Sequence, residues 1–466
     1  MASVLSADRF TAIATEGLGR KSTTTAASMA YFRGAIFVGT SCLNPLARGN
    51  APRVLRYDVE RGAWETAYES PLIDAATHLQ EPDRKPGQDG AAGPQRRERL
   101  PAAAIVQKAI GRIPRDSGYR SMCVFQGKSD PRPALYVSTM SRSGAILLRS
   151  NDGEVFEQVS EPGLGDPSVY SFRALAEMNG YLFASPAGTV AGSDVDRNLA
   201  TDPKVYVSDD PRKGKWLNAA GSGFGNASNR AIYSLYPAFD RMYAGTANPD
   251  LGCQLWQTAA LGKPPFDWSP VIINGGDGFN RNFASCAMAE FRGALYVGVG
   301  VTGLGYERAH DIGPASGELW RVYPDGRWDL IAGQTRFSPY GLKVPLSRLG
   351  PGLGDFYNAR IQALVAHNGV LYLGTFQWES YRCVEIESSD IVGGYQLWGS
   401  DDGAQWTPVL EDGNGNPADF GIASLLSTPH GLFVGTSNQC RLLSNLSLDR
   451  EAKLDFPQGF EVLLGR

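Results

Sequence analysis

The chain has 466 residues, enough to bury a large core, and its 44 Lys+Arg against 48 Asp+Glu leave a formal charge of -4. That balance tells against nucleic acid or an anionic membrane as partner, since both demand a net basic face. The N-terminus lacks the basic and apolar regions of a secretory leader and no apolar run reaches membrane-spanning length. The six cysteines are irregularly spaced, so a cytoplasmic, disulfide-free protein is expected.

The first predicted element, residues 10–16, reads as a fourth strand standing ahead of any partner. It is expected to close a ring by pairing with the far end of the chain; 459–464 has the same form, and the N-terminal strand is preferred. A phrase then recurs: an apolar segment, a tight turn, and an alternating strand ending in Gly-Thr or its equivalent. Its shared aromatic falls at Phe37, Tyr136, Phe183, Tyr243, Tyr296, Tyr372 and Phe433. A third strand follows in forms such as Glu318-Leu319-Trp320 and Gln396-Leu397-Trp398, then a polar turn and a fourth strand such as Trp406-Thr407-Pro408-Val409. Repeats of this kind predict an all-β fold, a seven-bladed β-propeller of four-stranded antiparallel blades forming one domain over 1–466.

Two hairpins, Ser150-Asn151-Asp152-Gly153-Glu154-Val155-Phe156 and Ser400-Asp401-Asp402-Gly403-Ala404-Gln405-Trp406, resemble the Asp-box of sialidase-like propellers. The resemblance implies a structural hairpin on the face away from the active site. Gly111-Arg112-Ile113-Pro114 is similar to that family's arginine motif, with Gly111 in place of its aromatic. It would nominate Arg112 as a carboxylate-binding arginine.

Inner strands begin, and second strands end, on one face, so function is expected there. The inter-blade insertion 68–117 is the longest, and its 100–110 stretch is predicted as a short helix over the mouth, lid-like. Loops 299–316 and 376–394 join the same face. Inner-strand beginnings supply Arg120, Arg173, Arg230, Arg281 and Arg360. Either they pair with Asp166, Asp277, Asp355 and Asp419 to stitch blades together, or they form a site for carboxylate, sulfate or phosphate. Trp378 lies in a connecting loop as either a plug or a stacking surface, beside Tyr381 and Arg382; Tyr306 adds a second aromatic. Glu307, His310 and Glu379 are the candidate acid–base residues.

Other motifs carry less. The Gly-x-Gly elements precede inner strands and read as inter-blade turns. Asp412–Asp419 has the alternate oxygens of a calcium loop, but Pro417 replaces the usual glycine and no closing glutamate follows, so neither calcium nor another cofactor is expected. The histidines show no metal spacing, and Cys42 and Cys440 read as two ordinary buried thiols. The preferred function is binding, with acid–base conversion as an extension, of a small anionic or glycan-like ligand at an arginine-lined funnel. The alternatives are a protein-interaction platform and a metal-dependent lyase or glycoside hydrolase.

Overall fold

The computed structural model describes residues 3–42, 49–74, 111–190, 199–200, 202–446 and 456–466. The 100–110 stretch and His78 lie outside them. The described chain is all-β and antiparallel, built from propeller-like four-stranded meanders. One of these runs Asn358–His367, Val370–Gln377, Leu397–Ser400 and Thr407–Leu410, each strand paired with the next. The strand that opens each meander is its inner strand: Thr23–Phe32, Gly118–Phe125, Val169–Met178, Ala231–Ala238, Ala284–Phe291, Asn358–His367 and Asp419–Thr428.

Each inner strand packs on the inner strand of the next meander, and Asp419–Thr428 packs back on Thr23–Phe32. Single bridges join neighbours at the same edge, including Ser41 with Gly118, Gly300 with Arg360 and Phe376 with Gly421. Thr25 with Ser437 returns the last meander to the first. Serine hydroxyls reinforce the seams, Ser28 donating to the Tyr119 carbonyl at 3.0 Å and Ser424 to the Ala26 carbonyl at 2.7 Å. Both chain ends build the final meander. Val462–Gly465 pairs on one side with Gly431–Asn438 and on the other with Phe10–Ala14. The 459–464 segment, which also fitted a fourth strand, therefore supplies the third.

The recurring Gly-Thr has a steric and a polar cause. A Cβ on Gly374 would lie 2.6 Å from the Ile422 Cβ on the next inner strand, so only glycine lets the two sheets approach. The hydroxyl of Thr375 accepts the Gln396 amide at 2.9 Å, and Thr246 and Thr436 do the same for Gln254 and Glu461. Each such bond pins the start of a third strand across the intervening loop. The shared aromatics are the packing between meanders, every one at most 1% exposed. We expect Gly374→Ala to cost about 1–3 kcal/mol by overpacking. The check is the urea midpoint; an unchanged value would show that the sheets part freely.

The two Asp-box-like hairpins share one geometry. Gly153 donates to the Ser150 hydroxyl at 2.9 Å, while the amides of Glu154 and Val155 converge on Asp152. Those backbone donors hold the Asp152 carboxyl below its ordinary range. Ser400, Asp402 and Gly403 repeat the arrangement. Gly153 sits against the Phe37 ring of the preceding meander, which makes the hairpin a packing device.

Candidate functional site

In every inner strand named above the pairing slips by one residue at the same place. A β-bulge of this kind re-aims the skipped side chain. The skipped residues are Ala27, Arg120, Arg173, Tyr233, Cys286, Gln362 and Ala423, and all of them line one cavity of about 500 Å³. Arg360, two residues before the bulge in its own strand, lines it too, as do Thr25 and Tyr170. The cavity opens where inner strands begin and second strands end, among Ser41, Met140 and Thr302.

Three guanidinium groups thus converge. Arg173 lies face-on to Tyr233, its Cζ 3.0 Å from the ring centroid, and Arg360 lies over Phe376 at 3.8 Å. Stacking occupies the flat face of a guanidinium and leaves its N–H edge for hydrogen bonds. Arg360 donates to Gln362 Oε1 at 3.0 Å and to the Gly303 carbonyl at 3.2 Å, and Arg120 donates to Ser171 Oγ at 3.0 Å. Burial lowers the pKa of both Arg120 and Arg360, and the Arg360 charge pushes Arg120 further down. Both are enclosed by protein while their tips stay in contact with the cavity. Burial also pushes the Cys286 thiol up to about 11, so at neutral pH it is a thiol and a poor nucleophile. Among the described residues, no Asp or Glu lines this cavity.

Two predicted arginines are elsewhere. Arg230 lies just ahead of its inner strand and donates to the Ala200 carbonyl at 3.1 Å, and it does not line this cavity. Arg281 is exposed, bonds Gln334 at 3.4 Å and lines a different cavity. The pairing of arginines with inter-blade aspartates is not what the described contacts show. Asp166 accepts from Ser168, Asp355 from Gln377 and Gln396, and Asp419 from Asn416 and Asn438. Asp277 feels Arg336 and Lys343, yet burial leaves its carboxyl raised.

The candidate acid–base residues do not reach the arginine cavity. Glu307 is buried and organises its own loop, accepting the Ala309 and His310 amides and lying 2.6 Å from His310 Nδ1. Glu379 is held by Gln377 and raised by burial. Tyr306 donates to Asp311, and Arg382 pairs with Glu385 at 2.7 Å on the surface. Trp378 is a plug: it packs on Tyr357 and Phe356, with ring centroids 5.0 and 6.1 Å away, alongside Tyr381 and beside Gly305. It precedes a short helix, Glu379–Glu385, inside the stretch expected as a connecting loop. Arg112 is exposed and donates to the Leu72 carbonyl at 2.5 Å within a two-stranded ladder, away from the cavity. Asp412–Gly415 forms an inter-meander turn. Among the described residues, no cluster of three or more His, Cys, Asp or Glu is placed to hold a metal. Nor is any helix among them long and apolar enough to cross a membrane.

The residues that sequence reasoning missed are Tyr170, Tyr233, Cys286 and Gln362. Their signal is positional: each of the last three occupies the bulge site directly before a paired Ser or Ala, namely Ser234, Ala287 and Ala363, and only alignment of the repeats in register would expose it.

No family model matches the chain, and no curated protein matches it. Solved structures with some likeness include a GH74 xyloglucanase from Xanthomonas campestris, at 16% identity and a TM-score of 0.49, covering 92% of this chain and 52% of that one. A GH74 enzyme from Niastella koreensis follows at 11% identity and a TM-score of 0.46, over 92% and 53%. A protein described as a putative gluconolactonase has 10% identity and a TM-score of 0.36, over 98% and 91%. The chain thus spans about half the length of the two GH74 proteins. At these scores the likenesses carry no argument about activity.

Proposed function

We propose that the chain closes as a seven-bladed ring, with the Asp-box-like hairpins as blade supports, and that the arginine cavity at its mouth binds a small anion. Carboxylate, sulfate and phosphate are the chemical class, whether free or carried on a sugar. The observation that supports this best is the convergence of Arg120, Arg173 and Arg360 on one cavity. Crowded cations in a partly desolvated space raise one another's electrostatic energy, and an anion seated among them relieves it. Stacked arginines also present their edges in a fixed orientation, which favours forked contacts with planar oxyanions. The described lining supplies hydrogen-bond donors, and the reading is recognition of the anion.

A thermal-unfolding screen tests it, with sulfate, phosphate, small carboxylates, uronic and sialic acids, and sulfated and phosphorylated sugars. At a hundredfold over its dissociation constant a ligand adds about 2.7 kcal/mol to stability. Arg360→Ala is expected to abolish the response and Arg360→Lys to restore only part of it, since lysine keeps charge but not the fork. A panel without any responding anion, or a response that survives Arg360→Ala, would remove the proposal.

A further inference from the structure

A second cavity of about 670 Å³ lies on the same side of the repeat, between the turn 274–282, the loop 311–316 and the strand beginning at Arg336. The turn breaks a rule that its counterparts keep. In two other meanders an asparagine reaches back to a turn glycine: Asn229 to the Gly223 carbonyl and Asn358 to that of Gly352, both at 2.9 Å. Here Asn282 makes the same bond to Gly275 at 2.8 Å, with one more residue in between. The longer turn holds Asn274, Asp277 and Phe279 in left-handed backbone, at φ 52°, 62° and 55°, where those two counterparts hold one such non-glycine residue each, Phe224 and Leu353, and Asp311 on the facing loop adopts φ 54°. Such conformations cost on the order of 1–3 kcal/mol each where no glycine relieves them, and they concentrate at ligand sites.

The lining is of one chemical kind. Phe279 and Phe356 stand at the cavity 60% and 51% exposed, with Phe356 backed by Tyr357 and Trp378. Asp277, Asp311 and Arg281 line it together, while Glu318 and Arg336 satisfy each other, so the charges of the lining nearly balance. Asn280 and Gln334 add amide donors and acceptors. Aromatic faces for C–H surfaces, flanked by carboxylates and amides for hydroxyls, match a polyhydroxylated ring. We propose that this cavity is a binding site for a neutral saccharide, separate from the arginine cavity.

The test uses the full chain and soluble neutral oligosaccharides of glucose, xylose, galactose and mannose, with the corresponding uronates as controls, titrated by calorimetry. A neutral oligosaccharide is expected to bind. Phe279→Ala and Phe356→Ala should each weaken it about tenfold, and the melting temperature should stay unchanged in Phe279→Ala, whose ring is the more exposed. Arg360→Ala should leave it unaltered, which keeps the outcome separate from that of the anion site. Absence of binding by every neutral sugar, binding that survives both phenylalanine substitutions, or binding lost in Arg360→Ala would each overturn the assignment.

Discussion

Replacing Arg336 by methionine will destabilise the fold by about 3–5 kcal/mol, and adding Glu318→Gln to that variant will return most of the loss. The reason is a substitution the repeat has made within itself. At the start of the third strand two meanders carry a glutamine, Gln254 and Gln396. Each accepts an asparagine Nδ2 at 2.8 Å and a tryptophan Nε1, at 2.9 and 3.0 Å respectively. The meander between them carries Glu318, which accepts Asn282 at 2.8 Å and Trp320 at 3.2 Å in the same way. A carboxylate there is 4% exposed and needs a cation. Arg336 supplies it through both terminal nitrogens, at 2.7 and 2.8 Å.

Methionine keeps the apolar stem and strands the charge. Glutamine in the double variant reproduces its neighbours but gives up an acceptor for the Gln334 amide, now bonded to Glu318 at 2.9 Å, so about 1 kcal/mol should remain lost. Chemical denaturation of the three variants completes the cycle. A single-variant cost below about 1 kcal/mol, or a double variant no better than the single, would mean that the pair is screened rather than buried.

How much of this was legible depends on the length scale of the cause. The repeated glycine, threonine and aromatic answer to contacts that recur in each meander, so they recur in the sequence too. The Gln254, Glu318 and Gln396 series was visible as three copies of a residue before Leu-Trp. The bulge was not, because inserting one residue into a strand leaves the residues on both sides still alternating. Reading arginines from their proximity to strand beginnings therefore grouped Arg230 and Arg281, three and five residues ahead of their strands' bulges, with Arg120 and Arg173, which occupy theirs, and Arg360, two ahead of its own. Glu307 and His310 misled for a different reason. An acid and a base three apart look like chemistry, but the carboxylate is consumed by the two amides of its own tight turn. Nothing in the spacing distinguishes a loop that holds itself from a loop that holds a ligand.

At the seam where the chain ends meet, the same third-strand position yields an effect of pH. Asp419 and Glu461 stand here where the preceding meander has Asn358 and Gln396, two acids in place of two amides. Asp419 is 0% exposed and accepts Asn438 at 2.9 Å and Asn416 at 3.1 Å. Burial, with the Glu461 charge adding to it, pushes its pKa up to about 8. Glu461 is itself raised by burial, and Tyr395, wedged beside both, is raised by burial and by their charges. The unfolded chain releases the Asp419 proton near pH 3.9. Between about pH 4 and about pH 8 the folded state therefore holds a proton that the unfolded state has lost. Stability must fall as pH rises through that window and level off above it. The total on the order of a few kcal/mol is set by the separation of the two pKa values. Asp419→Asn removes the titration while keeping the shape that Asn229 and Asn358 already have. The variant should match the parent near pH 4, outrank it increasingly towards pH 8, and keep only the residual slope owed to Glu461. Unfolding free energies measured from pH 4 to 9 decide it: curves that run parallel would show that Asp419 ionises in the folded protein at an ordinary pH, and that water or a counter-charge reaches the seam.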